Sequence, residues 1–296
     1  MRRTAKNLGT SPGLILSCVN EFGERCFTPL ELKEKLNPKW SGNLGIDGKP
    51  VKLKGKELTI LLAVDQPTQD LVHIDLVDRE NEAECSRFLL TVRDEMNYPI
   101  RTIVSDLGKG KVLIDLIEKL FPDIPHQACV VHFARYVDLT LPKSKKSPYH
   151  TQNQFLRETI KEILFSDSYN DAEELFIRLW NMKQSFQTYY QKRILMSLKR
   201  HFKLLTAHFF HLELPRDNNI TENIVKKLNR KLKLIDGFKN KQNAFNFLKL
   251  WAAYYRFEPF TASNYSYRNG KSPLHLAQAS YPKIDWLTSC QKGSVK

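Results

Sequence analysis

The pattern of hydrophobic and polar positions predicts strands in the first part of the chain. Apolar residues alternate with polar ones around residues 44–53 and 71–77, as is typical of half-buried strands. Between them, residues 58–64 form an almost unbroken apolar run, as expected of a strand buried on both faces. Because short connections join the three segments, we predict an antiparallel meander.

Helices and strands alternate in the next part of the chain. The pattern predicts a helix over 82–96, a strand over 100–105, a helix over 111–121 and a short fifth strand over 129–133 that runs into a helix. From about 150 to 256 the periodicity is almost wholly helical. This order predicts an α/β fold with a mixed sheet.

Residues 12–37, ahead of the strands, predict two short helices separated at Gly23. Thr28 and Pro29 have the features of a helix start, an N-cap followed by proline at the first helical position. Two interpretations stay open for this segment. It is either part of a helix-turn-helix DNA-binding unit or a plain helical hairpin packed on the main domain.

The chain is strongly basic, and its charge is unevenly distributed. Lys plus Arg number 46 and Asp plus Glu number 32, which gives a formal net charge of +14. Residues 1–56 carry +6, residues 57–140 carry −7 and residues 141–296 carry +15. Two basic regions around an acidic one favour a polyanionic partner, nucleic acid above all, although an unevenly charged solvated surface explains the same counts.

The composition argues against two classes of protein. No apolar run approaches the about 20 residues of a membrane-spanning helix, and no apolar segment follows the basic N-terminus as in a secretory signal. The five cysteines are odd in number and scattered, which favours a reducing cytosol over a disulfide scaffold. We therefore expect a cytoplasmic protein with no membrane partner.

Three acids are candidate metal ligands. Asp47 follows apolar strand residues and Asp106 ends the fourth strand. If those strands are neighbours, the two carboxylates converge, and a divalent cation would relieve their repulsion. Glu222 is the candidate third ligand, while Asp65, which also closes a strand, is a rival to Asp47. Each has a structural alternative, the aspartates as turn residues and Glu222 in a capping box with Asn219.

Four motifs in the right order resemble those of DDE transposases of the Mutator-like group. Asp47-Gly48-Lys49 and the apolar strand after it resemble the first catalytic strand of bacterial and archaeal insertion-sequence transposases, and residues 103–110 resemble the second. Residues 125–132 contain a Cys-x-x-His pair similar to that group's, and residues 219–223 resemble the motif that carries the catalytic glutamate. The resemblance covers roughly residues 42–258.

The resemblance implies an RNase H-like core, a mixed sheet of three antiparallel strands plus parallel strands flanked by helices. It also implies an all-α insertion between the second aspartate and the glutamate. The implied segments are a helical N-terminal segment (1–41), the first part of the core (42–140), the helical insertion (141–214), a core-completing helix with the glutamate (215–260) and a C-terminal tail (261–296). Because the first segment is shorter than this group's usual DNA-binding region, we expect a short or truncated copy.

The resemblance also implies the chemistry. Asp47, Asp106 and Glu222 would be the catalytic residues and would bind two Mg²⁺ ions, for which Mn²⁺ could substitute. One ion would activate water or a 3′-hydroxyl and the other would stabilise the leaving oxygen. Cys129 and His132 would support this site. Because a structural zinc site needs four ligands and this pair supplies two, we expect packing or hydrogen bonding from them rather than zinc binding.

The candidate DNA-binding residues are basic and lie near the first aspartate or just after the glutamate. They are Lys49, Lys52, Lys54, Lys226, Lys227, Arg230 and Lys231. The lysines of the first group, with Lys56, are expected on one face of a strand if it runs unbroken.

An aromatic cluster near the C-terminus is expected to pack in the core rather than to stack on bases. Its members are Trp251, Tyr254, Tyr255, Phe257 and Phe260.

DNA is the expected partner, both as transposon ends and as target, and we expect at least a dimer on DNA because two ends are joined. The resemblance implies a prokaryotic, nucleoid-associated protein that cleaves insertion-sequence ends and transfers the strands. Two other functions stay open. One is an RNase H-like nuclease or resolvase that cuts without joining, and the other is a truncated or domesticated transposase that only binds DNA.

Overall fold

The computed structural model of the chain describes a mixed sheet of five strands that helices flank, so the protein has an α/β fold. The predicted fold class, with three antiparallel strands and parallel pairing in one mixed sheet, is confirmed. The structure describes residues 2–106, 112–235, 237–279 and 286–292.

The elements follow the predicted order along the chain. The strands are β1 (Asn43–Leu53), β2 (Lys56–Asp65), β3 (Leu71–Val77), β4 (Thr102–Ser105) and β5 (His126–Ala128). The helices up to the Cys-x-x-His motif are α1 (Arg2–Asn7), α2 (Pro12–Arg25), α3 (Pro29–Leu36), α4 (Glu82–Leu90), α5 (Val112–Leu120) and α6 (Val130–Thr140). The later helices are α7 (His150–Leu164), α8 (Tyr169–Asn181), α9 (Tyr189–Leu205), α10 (Asn219–Leu232), α11 (Lys241–Phe257), α12 (Pro273–Leu276) and α13 (Trp286–Cys290).

The chain divides into two compact units. The first comprises Met1–Arg101 together with Asn219–Lys296, and the second comprises Thr102–Asn218. The predicted helical insertion, residues 141–214, falls entirely within the second unit. No helix in the described parts of the chain is long and apolar enough to cross a membrane.

The first unit contains the antiparallel meander of β1, β2 and β3. Lys54 and Gly55 form the turn between β1 and β2, and both have positive φ, 44° and 82°, which suits a tight hairpin. The strand therefore does not run unbroken through the lysines. Lys49 and Lys52 lie on opposite faces of β1 and Lys54 lies in the turn, so the prediction that these lysines share one strand face is wrong.

One face of this meander packs against α10 and α11. The β2 residues on that face are Leu58, Ile60, Leu62 and Val64, which are buried. Their partners include Ile224 and Leu228 of α10 and Leu248 and Trp251 of α11. The apolar residues that recur every three to four positions on both helices thus face the apolar residues that alternate along the strand. This core holds α10 over the meander.

A buried ion pair holds α11 to the turn between β2 and β3. The Arg256 guanidinium donates to both carboxylate oxygens of Asp70 at 2.8 Å, and both side chains are fully buried. Trp40 adds a hydrogen bond from its indole Nε1 to Asp70 at 2.9 Å. Because one of these charges left alone would be buried without a partner, removing either would cost about 3–5 kcal/mol.

The two predicted N-terminal helices are present as α2 and α3, and Thr28 caps α3 with a full capping box. Gly23, however, lies inside α2 rather than between the helices. A Cβ at this position would collide with the backbone of Asn246 on α11. Glycine is therefore needed for the close approach of α2 to α11, and the prediction that it ends a helix is wrong.

The described residues of the second unit include the parallel pair of β4 and β5 and the α-helices α5 to α9. The fifth strand is His126–Ala128, and Cys129 is the N-cap of α6, so the prediction of a strand over 129–133 is wrong. Val130, Phe133 and Val137 are buried at helical spacing in a core that α6 shares with α7, α8 and α9. This helical burial outweighs the β propensity of the two valines after Cys129.

Candidate active site

Asp47 lies on the face of β1 that α10 covers. Its cross-strand partner is Leu62, one of the β2 residues in the core beneath α10, and paired residues of antiparallel strands project to the same face. The Asp47 side chain is buried, with 6% of the residue exposed, and its Oδ1 accepts a hydrogen bond from the Gly48 N–H at 2.8 Å.

Gly45 brings the first turn of α10 close to this strand face. A Cβ at Gly45 would collide with Thr221 Oγ1 and Gln66 Nε2. The Gln66 amide donates to the Thr221 hydroxyl at 2.7 Å, and both residues are buried. Because Gly45 and Asp47 are two residues apart on one strand, the two positions share the face that α10 approaches.

Glu222 follows Thr221 in the first turn of α10. Its side chain is mostly buried, at 14% exposure, and its Oε1 lies 3.4 Å from Lys226 Nζ one turn further along the helix. Asp47 thus lies on the strand face that α10 covers, and Glu222 lies in the first turn of that helix, both within the first unit.

The structure argues against Asp65 as the first metal ligand. Its cross-strand partner is Leu44, so it projects to the sheet face opposite to Asp47. Its buried carboxylate accepts hydrogen bonds from the backbone and hydroxyl of Ser41, the backbone and hydroxyl of Thr68, and the Tyr98 hydroxyl, at 2.6–3.3 Å. A carboxylate satisfied in this way by protein donors has a structural role.

Asp106 lies in the second unit, directly after β4, and is partly buried. The preceding Ser105 hydroxyl donates to the Asp106 backbone carbonyl at 3.0 Å and lies 2.9 Å from His126 Nε2. Burial lowers the pKa of His126 to about 4, which keeps this imidazole neutral. The sequence did not predict this contact.

Cys129 and Gln127 hold the segment that leads into α10. The Cys129 Sγ accepts the backbone N–H of Asn218 at 3.3 Å. The buried Gln127 amide donates to the carbonyls of Leu205 and Arg216 at 3.0 and 3.4 Å. Asn218 directly precedes α10 in the sequence. Gln127 was not predicted, because the fifth strand was expected over 129–133, which excludes this residue.

The structure gives Cys129 and His132 different surroundings. Burial raises the pKa of the Cys129 thiol above its ordinary value, so this sulfur stays neutral. His132 is partly buried on α6, and its Nδ1 has no hydrogen-bond partner among the described residues. Within the described ranges, no three His, Cys, Asp or Glu side chains are grouped so that they could hold a metal ion. A supporting role for this pair stays a prediction.

The basic candidates after Glu222 form an exposed surface on α10. The exposed residues of this helix are Lys226, Lys227, Arg230 and Lys231, and the buried ones are Ile224, Val225, Leu228 and Leu232.

The aromatic cluster divides into two groups. Trp251 and Tyr255 pack in the core, as predicted, whereas Tyr254 and Phe260 are only partly buried and line a cleft beside the basic residues.

The chain matches the model of the Mutator family of transposases over residues 48–256. The match includes Asp106, Cys129, His132 and Glu222 and begins one residue after Asp47. No individual curated protein matches the chain. Since the family match covers well over half of the sequence, the chain belongs to the Mutator family of transposases.

Proposed function

We propose that this protein is a DNA transposase that cleaves the ends of its insertion sequence and joins them to target DNA. The observation that carries the proposal is the family match together with the packing of α10, which bears Glu222, on the strand face that bears Asp47. DNA is the substrate, and assembly on two transposon ends requires at least a dimer.

Three carboxylates are proposed to hold two Mg²⁺ ions, namely Asp47, Asp106 and Glu222. Carboxylate oxygens are the ligands that Mg²⁺ and Mn²⁺ prefer. The ion pair of Glu222 with Lys226 fits this assignment, because it shows that this mostly buried carboxylate takes a cationic partner. When bound, two such ions favour attack by a hydroxyl on phosphorus and stabilise the leaving oxygen.

The protein's own groups bind and orient the DNA in this proposal. The exposed cations of α10 attract the phosphate backbone and position it beside Glu222, because they begin one helical turn after it. The Cys129 and Gln127 contacts hold the chain that enters α10, and the neutral His126 orients Ser105 next to Asp106. No protein nucleophile is assigned, since a hydroxyl of water or DNA attacks the phosphorus.

The test is a cleavage and joining assay on a DNA fragment that carries the element's own ends, with Mg²⁺ or Mn²⁺. We expect Asp47→Asn, Asp106→Asn and Glu222→Gln each to lose both activities by at least about 100-fold, with DNA binding in EDTA near normal. Asp115→Asn, which removes an exposed acid of α5, is the matched control. Full activity of any of the three variants would remove that residue from the site.

The same assay distinguishes the proposed transposase from the two alternative functions. Cleavage without joined products would identify a nuclease or resolvase. DNA binding without metal-dependent cleavage in the wild-type protein would identify a protein that only binds DNA.

A further inference from the structure

A cleft of about 730 Å³ lies beside α10 in the first unit. One wall consists of basic side chains of α10, and the other consists of the end of α11 and the residues that follow it, including Tyr254 and Phe260. We call this the basic-aromatic cleft. Its basic wall begins with Lys226, one helical turn or about 6 Å along the axis from Glu222.

The charge of the cleft selects an anion. Its cationic lining in the described part of the chain consists of Lys226, Lys227, Arg230 and Lys231. Glu258 is the one carboxylate among the described lining residues, and it accepts a hydrogen bond from the Tyr254 hydroxyl. Burial, together with that contact, raises the pKa of Tyr254 to about 12, so the phenol stays neutral and adds no negative charge.

Two of the cations rest on aromatic rings. Lys227 Nζ lies 5.0 Å from the centroid of the Phe260 ring and 5.2 Å from that of Tyr255, and Lys231 Nζ lies 5.7 Å from that of Tyr254. Although Lys227 as a whole is exposed, its ammonium group packs against these rings, and this local burial lowers its pKa and removes part of its hydration. A poorly hydrated ammonium ion gains more from a phosphate than one that is fully solvated.

We propose that the basic-aromatic cleft binds one or two unpaired nucleotides of a DNA strand, with phosphates on the α10 cations and a base against Tyr254 and Phe260. The inference rests on the proposed function, since it assumes that the strand held at Glu222 continues along α10. When a phosphate draws Lys227 and Lys231 away from the rings, the ring faces become available to a base.

Size and chemistry together favour unpaired DNA over other anions. A volume of this order suits a small-molecule ligand, whereas a B-form duplex can contact the exposed α10 cations only through its phosphate backbone, because its bases are paired and stacked inside the helix and cannot reach the ring faces. A basic groove with aromatic side chains is the usual combination for single-stranded nucleic acid, because every base has a face that can stack. An acidic peptide would use the cations but would leave the ring faces without a planar partner.

The experiment measures binding of a labelled oligo-dT and of a duplex of equal length by fluorescence anisotropy, with EDTA present. For Tyr254→Ala we expect about tenfold weaker binding of the single strand, and duplex binding within twofold of wild type. Phe260→Leu, which alters the same wall outside a regular helix, is the second variant and should act in the same direction. Thermal melting shows which variants are folded.

The matched control is Lys35→Ala on α3, which is far from α10 in the sequence. The Nζ of Lys35 lies 4.7 Å from the centroid of the Phe27 ring. It removes a cation and a cation–π contact and should leave both affinities unchanged. Equal losses on single strand and duplex, no loss in either folded variant, or displacement of oligo-dT by polyglutamate as effectively as by unlabelled oligo-dT would overturn the proposal. Because the readout is binding without metal, it is independent of whether the protein cleaves DNA.

Discussion

Gln66 donates a hydrogen bond to the Thr221 hydroxyl at 2.7 Å, directly over the bare Cα of Gly45. The two partners are 155 residues apart in the sequence, and they join the end of β2 to the first turn of α10. Glu222 is the next residue of that turn. The position of the proposed catalytic glutamate therefore depends on a glycine of β1 and on a hydrogen bond that no local pattern specifies.

Gly45→Ala should displace α10 and with it Glu222. The added Cβ would collide with Thr221 and Gln66, so we expect a loss of about 1–3 kcal/mol in the free energy of unfolding and a larger proportional loss of DNA cleavage. Chemical denaturation and the cleavage assay measure the two effects. Gly13→Ala on α2, where the nearest atom to the new Cβ is 3.7 Å away, is the control. Normal cleavage by Gly45→Ala would show that this contact does not position Glu222.

The sequence was sufficient to predict the meander and the order of helices, because periodicity reports which residues are buried. It was also sufficient to nominate Asp47, Asp106 and Glu222, because acids next to strand ends and helix starts stand out. It was not sufficient to decide between Asp47 and Asp65. That decision needs the register of β1 against β2, which places the two residues on opposite faces of the sheet.

Other errors have local physical causes. Lys49 and Lys52 are three residues apart and therefore lie on opposite faces of β1, and the hairpin turn at Lys54 and Gly55 removes Lys54 from the strand. The sequence predicts a helix break at Gly23, because the packing of this glycine against Asn246 is visible only in three dimensions. The contacts of Gln127 and Cys129 were also missed, since they connect segments about 80–90 residues apart.

Substitution of Asp65 should mainly reduce stability, whereas substitution of Asp47 should mainly reduce catalysis. The Asp65 carboxylate accepts five hydrogen bonds, and Asp65→Asn replaces one of its oxygens with an NH2 group that cannot accept them. We therefore expect a loss of about 3 kcal/mol or more in the free energy of unfolding. Asp47→Asn should abolish cleavage with a much smaller effect on stability. Urea denaturation and the cleavage assay on both variants provide the measurement. A stable but inactive Asp65→Asn protein would reverse the two assignments.

The basic face of α10 should determine how DNA binding depends on salt. Replacing Lys226, Lys227 and Arg230 together with Gln removes three exposed cations and should weaken duplex binding. The slope of log affinity against log salt concentration should fall by about 2–3, since each phosphate contact contributes roughly 0.9. Titrations at several salt concentrations give the slope, with Lys35→Gln as the control. An unchanged slope would show that α10 does not contact phosphates.

His126 should make the protein sensitive to mild acid. Its pKa is about 4 in the folded protein, lowered by burial from 6.5, so protonation favours the unfolded chain. The stability is fully present above about pH 6.5 and is lost as the pH falls towards 4, by about 2–3 kcal/mol at pH 4.5. His126→Gln should remove that part of the pH dependence, and His211→Gln, at an exposed position, should not. Urea denaturation at pH 7 and pH 4.5 gives the comparison, and parallel losses in wild type and His126→Gln would mean that His126 is not the group that titrates.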